Sequence, residues 1–313
     1  MQQILPKLTE YFRPNSLTTA ITLLSKGKGR RAPLAGGTSL ALSTSRKITG
    51  LVDLAYLKLN YIKETQRSIR IGATAVMRDL CKHPALARVA GGVLQQAAHA
   101  VGATPTRNLV TVGGNIVQVF FWSALPVALL ALDATIRIQG KNGRRSVSAA
   151  KFFRSHPKTH LASHELVTEV VVPKTLPSCG GAFIKFARTR TSYALLNVAC
   201  VLERRGNICQ NVRIVIGATT ALPFRLRKVE TMLENAAPTP SLLEEAKTIT
   251  IQSVKPVADM RADPEYRKAV ACILVQRAIQ QAWIRAPQSQ ASLRRMSSRR
   301  DAPRRRKPPG GTS

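Results

Sequence analysis

Two glycine-centred stretches offer the clearest chemistry in this chain: Ala35-Gly36-Gly37-Thr38-Ser39-Leu40, and Thr111-Val112-Gly113-Gly114-Asn115-Ile116 some seventy-five positions later. Glycine removes the Cβ, so backbone N–H groups can approach a phosphate closely, and neighbouring hydroxyls add donors. A pair of such stretches suits one extended ligand, a dinucleotide with a diphosphate at its centre and a flat ring at one end. Neither stretch fits G-x-G-x-x-G or G-x-x-x-x-G-K-S/T, so neither is a Rossmann fingerprint or a P-loop. Each alone also reads as a plain turn, because Gly-Gly pairs are common in turns.

Groups for acid–base, nucleophilic or metal chemistry are scattered by comparison. The five histidines stand at 83, 99, 156, 160 and 164. The last three are four apart and would align on one helical face, but Pro157 lies among them and argues against a metal-binding helix. Five cysteines, at 81, 179, 200, 209 and 272, form no C-x-x-C pair and read as reduced thiols. No catalytic triad or H-E-x-x-H is present.

The two glycine stretches and their surroundings resemble the flavin-binding medium subunits of the molybdenum hydroxylases, the family of carbon monoxide dehydrogenase and xanthine dehydrogenase. The first stretch is similar to the family's A-G-G-T-D-L or A-G-G-H-S-L loop, with Ser39 in place of the commoner Asp, as in the carbon monoxide dehydrogenase branch. The second is similar to its T-I-G-G-N loop. Ile71-Gly72-Ala73, Met77-Arg78-Asp79-Leu80, Arg107-Asn108 and Leu129-Leu130-Ala131-Leu132-Asp133-Ala134 extend the likeness, which runs from about Leu5 to about Trp283.

The resemblance implies an FAD-dependent oxidoreductase subunit, since a bound flavin supplies the redox chemistry and the protein positions and tunes it. It implies that Ala35, Gly36, Gly37, Thr38 and Ser39 hold the pyrophosphate, and that Thr111, Val112, Gly113, Gly114 and Asn115 line its other side. Leu166 matches a position that packs against the flavin and Lys185 a lysine near the ring; simple core packing and an exposed strand lysine are the alternatives. The implied partners are a molybdopterin-binding large subunit and a small subunit with two-iron, two-sulfur clusters, in a heterotrimer or a dimer of heterotrimers. Electrons would pass from the clusters through FAD to an external acceptor. One segment departs from the pattern. Val119-Phe120-Phe121-Trp122-Ser123-Ala124-Leu125-Pro126 replaces a small, polar segment, and Ala124 stands at the family's aspartate. The three aromatic residues read either as core or as a platform for a ring, with core favoured.

The implied fold is α+β: a two-lobed FAD-binding domain of the vanillyl-alcohol-oxidase or PCMH type, then a small domain with a three-stranded antiparallel sheet and helices. The expected units are 1–60, carrying the first loop; 61–176, carrying the second; 180–284, the C-terminal domain; and 285–313, a disordered basic tail. Apolar spacing predicts a helix over 16–26 begun by an Asn15/Ser16 cap, and another from Ala85 to Val101 ended by Gly102. Thr104-Pro105-Thr106 should impose an extended connection. Gly50–Leu54, Tyr61–Lys63, Ser68–Ala73, Ala134–Gln139 and Val167–Val172 read as strands, with hairpins around 64–67 and 141–144. In the last domain, strands are expected over 182–186, 196–202 and 212–217, and helices over 228–235, 241–253 and 264–283.

The chain of 313 residues is 44% hydrophobic, enough for a real core, and carries a formal charge of +32. Residues 285–313 hold nine basic side chains against one acidic, leaving about +24 on the rest. Such a field attracts polyanions, so nucleic acid is expected only as a nonspecific partner. It also keeps open an alternative: a basic, polyanion-binding scaffold on the same fold with impaired cofactor binding. The apolar run Val117–Leu132 is interrupted by Gln118, Ser123 and Pro126 and reads as a buried loop leading into a helix, not a membrane span. Without a secretory signal in Met1–Pro6, a cytoplasmic location is the default expectation.

Overall fold

The computed structural model describes residues 8–40 and 47–287. Residues 288–313, most of the expected tail, and the first seven residues lie outside the described residues.

The chain opens with a small parallel sheet. Strands β1 (Glu10–Phe12), β2 (Arg31–Leu34) and β3 (Gly50–Asp53) lie in the order β1-β3-β2, backed by helix α1 (Leu17–Lys26). The Ser16 side chain accepts from the Thr19 amide and starts α1, as its cap spacing predicts. Ala20, Ile21 and Leu24 from α1 pack on Val52 and Leu54. The end of β2 thus delivers Ala35–Ser39 at the rim of this unit.

The second unit is a five-stranded antiparallel sheet in the order β4-β5-β8-β6-β7. Its members are β4 (Ile62–Glu64), β5 (Ser68–Gly72), β6 (Thr135–Gly140), β7 (Gly143–Ser148) and β8 (Leu166–Pro173). Helices α2 (Met77–Lys82), α3 (Pro84–Ala87), α4 (Val93–His99), α5 (Thr104–Leu109), α6 (Val112–Gln118), α7 (Leu125–Ala131) and α8 (Ala149–Phe152) fill its connections.

Two expectations fail here for local reasons. The helix predicted over 85–101 breaks at Gly91 and Gly92, whose φ values of +61° and +74° end one turn and restart another. Thr104-Pro105-Thr106 is the first turn of α5, where proline's missing N–H costs nothing. The apolar run 117–132 does lead into a helix, and every residue of α7 is buried.

The C-terminal unit is an antiparallel sheet, β12-β11-β10-β9, built from β9 (Cys179–Phe186), β10 (Leu196–Arg205), β11 (Ile208–Gly217) and the two-residue edge β12 (Phe224–Arg225). Three long strands were expected; the short fourth carries little apolar pattern to announce it. Helices α9 (Arg227–Leu233), α10 (Pro240–Ser253) and α11 (Pro264–Arg285) cover the sheet. The last helix runs past the expected end: Arg285 donates to Gln96 Oε1 and the Gly181 carbonyl, both at 3.1 Å, and Ala286 is buried. Residue 285 therefore belongs to the folded body. Among the described residues no helix is long and apolar enough to cross a membrane.

A buried carboxylate ties the middle sheet together. Glu169 on β8 is 2% exposed and accepts from Arg70 at 2.8 Å, Arg137 at 2.7 Å and the Tyr61 hydroxyl at 2.6 Å. Burial, aided by the hydrogen bond to Glu169, pushes the Tyr61 phenol up to about 12. The folded state favours the neutral phenol, so this contribution is complete below pH ~10 and fades as pH rises through about 12. Spectrophotometric titration should show one tyrosine ionising late. Glu169→Ala strands three donors, and urea unfolding should report a loss of about 2 kcal/mol, moderated by the partial exposure of both arginines.

Candidate functional site

The fold brings the two glycine stretches into contact. A Cβ built on Gly36 would overlap the Leu109 carbonyl oxygen and lie 3.5 Å from Thr111 Cγ2, so only glycine permits this approach. Gly37 follows with φ +70°, turning the chain in the left-handed region. Among the described residues the amides of Gly36, Gly37, Thr38 and Ser39 donate to no protein acceptor. These half-buried N–H groups are four donors available to a ligand.

The second stretch is built differently. It is the first turn of α6, with Thr111 as N-cap, rather than a loop. Its amides are occupied within the protein: Val112 N donates to Ala75 O at 2.9 Å, Gly113 N to Ala73 O at 2.8 Å, Gly114 N to Thr111 Oγ1 at 3.2 Å and Asn115 N to Thr111 O at 3.0 Å. Ala73 N in turn donates to Thr168 O on β8 at 3.0 Å, which anchors the turn to the middle sheet. Gly113 is required for space, since a Cβ there would sit 2.9 Å from the Ala73 Cβ. One polar atom remains without a partner: Asn115 Oδ1 is buried and accepts from nothing. Sequence reasoning assigned backbone donors to both stretches. It missed that 73–75 and the Leu109 carbonyl are the supports, although Ile71-Gly72-Ala73 was visible.

Leu166 is buried in the apolar cluster of Ala20, Ile21, Leu24, Val52 and Leu54, against which Ala35 also packs. It therefore stitches the middle sheet to the first unit, close to where the first stretch begins. Lys185 lies on β9, where Nζ donates to Ala100 O at 2.9 Å and Arg190 O at 3.1 Å. No hydrogen bond links it to either glycine stretch.

The departing segment forms no core cluster of aromatics. Trp122 is stacked between Phe120, centroids 4.9 Å apart, and Tyr193 of the C-terminal unit, 4.4 Å apart. Phe120 is 38% exposed and Phe121 and Trp122 are half-buried, so the favoured core reading is corrected: the rings stack on one another and on Tyr193, itself 61% exposed, and join no buried apolar cluster. Arg261 lies over the Phe121 ring at 4.4 Å and is held by Asp259. Although burial opposes ionisation, hydrogen bonds from Arg261 and Arg267 keep the Asp259 carboxyl well below the usual range. Ala124 is 4% exposed at the start of α7. Among the described residues no cluster of three or more histidine, cysteine, aspartate or glutamate side chains could hold a metal.

Comparison with known proteins agrees with this geometry. The family description "FAD binding domain in molybdopterin dehydrogenase" matches residues 6–175, and "CO dehydrogenase flavoprotein C-terminal domain" matches 181–282. This chain belongs to the FAD-binding medium subunits of the molybdenum hydroxylases. The carbon monoxide dehydrogenase medium chain of Hydrogenophaga pseudoflava is 30% identical over 90% of this chain and 99% of its own length. The glyceraldehyde dehydrogenase medium chain of Sulfolobus acidocaldarius is 29% identical over 88% of this chain and 99% of its own. A solved structure of Hydrogenophaga pseudoflava carbon monoxide dehydrogenase superposes with a TM-score of 0.85 at 29% identity, covering 90% of this chain and all of that one. Quinoline 2-oxidoreductase from Pseudomonas putida gives 0.83 at 26%, covering 90% of this chain and 99% of that one. The chain is thus a flavoprotein subunit of an oxidoreductase, with FAD as its cofactor.

The residues present fit that cofactor at its diphosphate. The Gly36–Ser39 amides are unengaged, and a side chain at Gly36 would fill the approach. Gly36→Ala should therefore reduce bound flavin per chain at least tenfold while circular dichroism stays native. Gly29→Ala is the control for a positive-φ glycine in open space and should leave flavin content unchanged. Absorbance near 450 nm after desalting would read both.

Proposed function

We propose that this subunit receives electrons from iron–sulfur clusters of a partner chain and passes them through its FAD to an external acceptor. The observation that carries the site assignment is the contact between the two glycine stretches, with open amides on one side and internally bonded amides on the other. In this reading Gly36, Gly37, Thr38 and Ser39 hold the diphosphate through backbone N–H groups, assisted by the Thr38 and Ser39 hydroxyls. Backbone donors neutralise two negative charges without adding a group that titrates. The Thr111–Asn115 turn supplies a rigid wall, and the unpartnered Asn115 Oδ1 offers an acceptor to a ligand N–H or hydroxyl. Leu166 and Ala35 close the apolar side. The bound flavin supplies the redox chemistry, and the chain's own groups bind, orient and shield it.

We assign the units as 1–60, 61–176 and 180–284, the last extended to Ala286 by the helix end, with the first two flanking the cofactor. The relatives named as medium chains support a complex with a molybdopterin-binding large subunit and a small iron–sulfur subunit, and we assign it to the cytoplasm. A basic scaffold with impaired cofactor binding is the second reading, favoured by the buried, apolar Ala124 and the +32 charge.

The two readings separate in one preparation. The electron-transfer subunit, purified full length, should carry FAD near one per chain and be reducible by dithionite with loss of the 450 nm band. A folded, colourless chain that takes up no added FAD, yet holds mixed nucleic acid above about 0.2 M salt, would establish the scaffold instead.

A further inference from the structure

The middle sheet buries one face, from which Ile69, Ile71, Ile136, Ile138, Val170 and Val172 enter the core. On the other face the strand register sets Lys63 opposite Arg70, Arg137 opposite Glu169 and Arg144 opposite Gln139, so four cations share one side of the sheet. Lys63, Arg137 and Arg144 are exposed and Arg70 is half-buried. Glu169 is the one carboxylate these strands place there, and Tyr61, Arg70 and Arg137 all donate to it. The arginines are only partly spent. Arg70 gives Glu169 its Nε, Arg137 gives it one Nη nitrogen, and Arg144 gives its Nε to Gln139 Oε1 at 3.0 Å; their remaining nitrogens donate to no acceptor among the described residues. Lys63 Nζ lies 5.1 Å over the Tyr61 ring. Neighbouring carboxylates are engaged off this face, Glu64 by Arg88 and Lys174 and Glu165 by Arg145.

We propose that this face docks a partner protein through an acidic helix laid across the strands. Neighbouring strands are about 4.8 Å apart, so the cations recur across the five strands at roughly 5–10 Å. Carboxylates at i, i+4 and i+7 of a helix recur at about 6 and 10 Å and would each meet a free guanidinium edge or the Lys63 ammonium. Val171 lies in register with both Arg70 and Thr135, and the half-buried Val171 and Thr135 give the helix an apolar floor. Nucleic acid matches less well, because Lys63 covers the Tyr61 ring and leaves no platform on which a base could stack. Neither glycine stretch belongs to these strands, so the inference does not rest on the electron-transfer reading.

The test uses the purified full-length chain, with fluorescein-labelled poly-L-glutamate as the acidic probe and labelled oligo-dT as the nucleic-acid probe, both read by anisotropy in about 0.15 M salt. Lys63→Gln with Arg144→Gln removes two charges from the face and leaves every donor to Glu169 in place; Lys228→Gln with Lys255→Gln removes two from exposed positions elsewhere. Poly-L-glutamate affinity should fall about tenfold in the first pair and less than about twofold in the second, with circular dichroism native in both. Carbodiimide, which couples carboxylates to amines, should attach the probe at Lys63 ahead of the other lysines. Absence of saturable poly-L-glutamate binding, equal losses in the two pairs, a larger loss for oligo-dT than for poly-L-glutamate in the first pair, or coupling that leaves Lys63 unmodified would overturn the proposal.

Discussion

The meeting of the two glycine stretches depends on the close approach of Gly36 to the Leu109 carbonyl. With any side chain at Gly36 that contact is sterically forbidden, and the first loop would have to move off the second unit. The approach is useful only because the surface it meets is rigid. Residues 110–113 are bonded to 73–77, and 73 is bonded to β8, so the wall opposite the loop is an extension of the middle sheet. Two units with separate cores, one around α1 and β3 and one around the middle sheet, are thereby held at a fixed spacing along the line where a diphosphate would lie.

This division of labour explains why the two stretches look alike in sequence and differ in chemistry. Each has a Gly-Gly pair beside a hydroxyl. In the second, the hydroxyl of Thr111 caps a helix and consumes the Gly114 amide, and Gly113 serves close packing against Ala73. In the first, Gly37 turns the chain at positive φ and the four amides donate to no acceptor among the described residues. Leu166 belongs to the same logic: a β8 residue whose side chain joins the apolar cluster of the first unit, so that sheet and loop move together.

Much of the architecture was legible because its signals are local. Strand-forming runs at 68–73 and 134–139 announced β5, β6 and their hairpins, and the Ser16 cap announced α1. The features that escaped are those decided by tertiary contact. Nothing local distinguishes a Gly-Gly loop from a Gly-Gly helix start; the bonds from 112 and 113 to 75 and 73 decide it. The break at Gly91-Gly92 interrupts an apolar period that continues on both sides. The stacking of Trp122 on Tyr193 joins residues seventy-one positions apart, so the exposed aromatic platform could not be told from core. The extension of α11 to Arg285 likewise rests on Gln96, far away in the chain.

Amide hydrogen exchange resolved to single residues, with and without added FAD, tests the central claim most directly. Exchange at Gly36, Gly37, Thr38 and Ser39 should be fast in the FAD-free protein and slow strongly on loading, while Val112 to Asn115 should be slow in both states. Protection that appears only at 112–115, or an unchanged rate at 36–39 with FAD bound, would contradict the account.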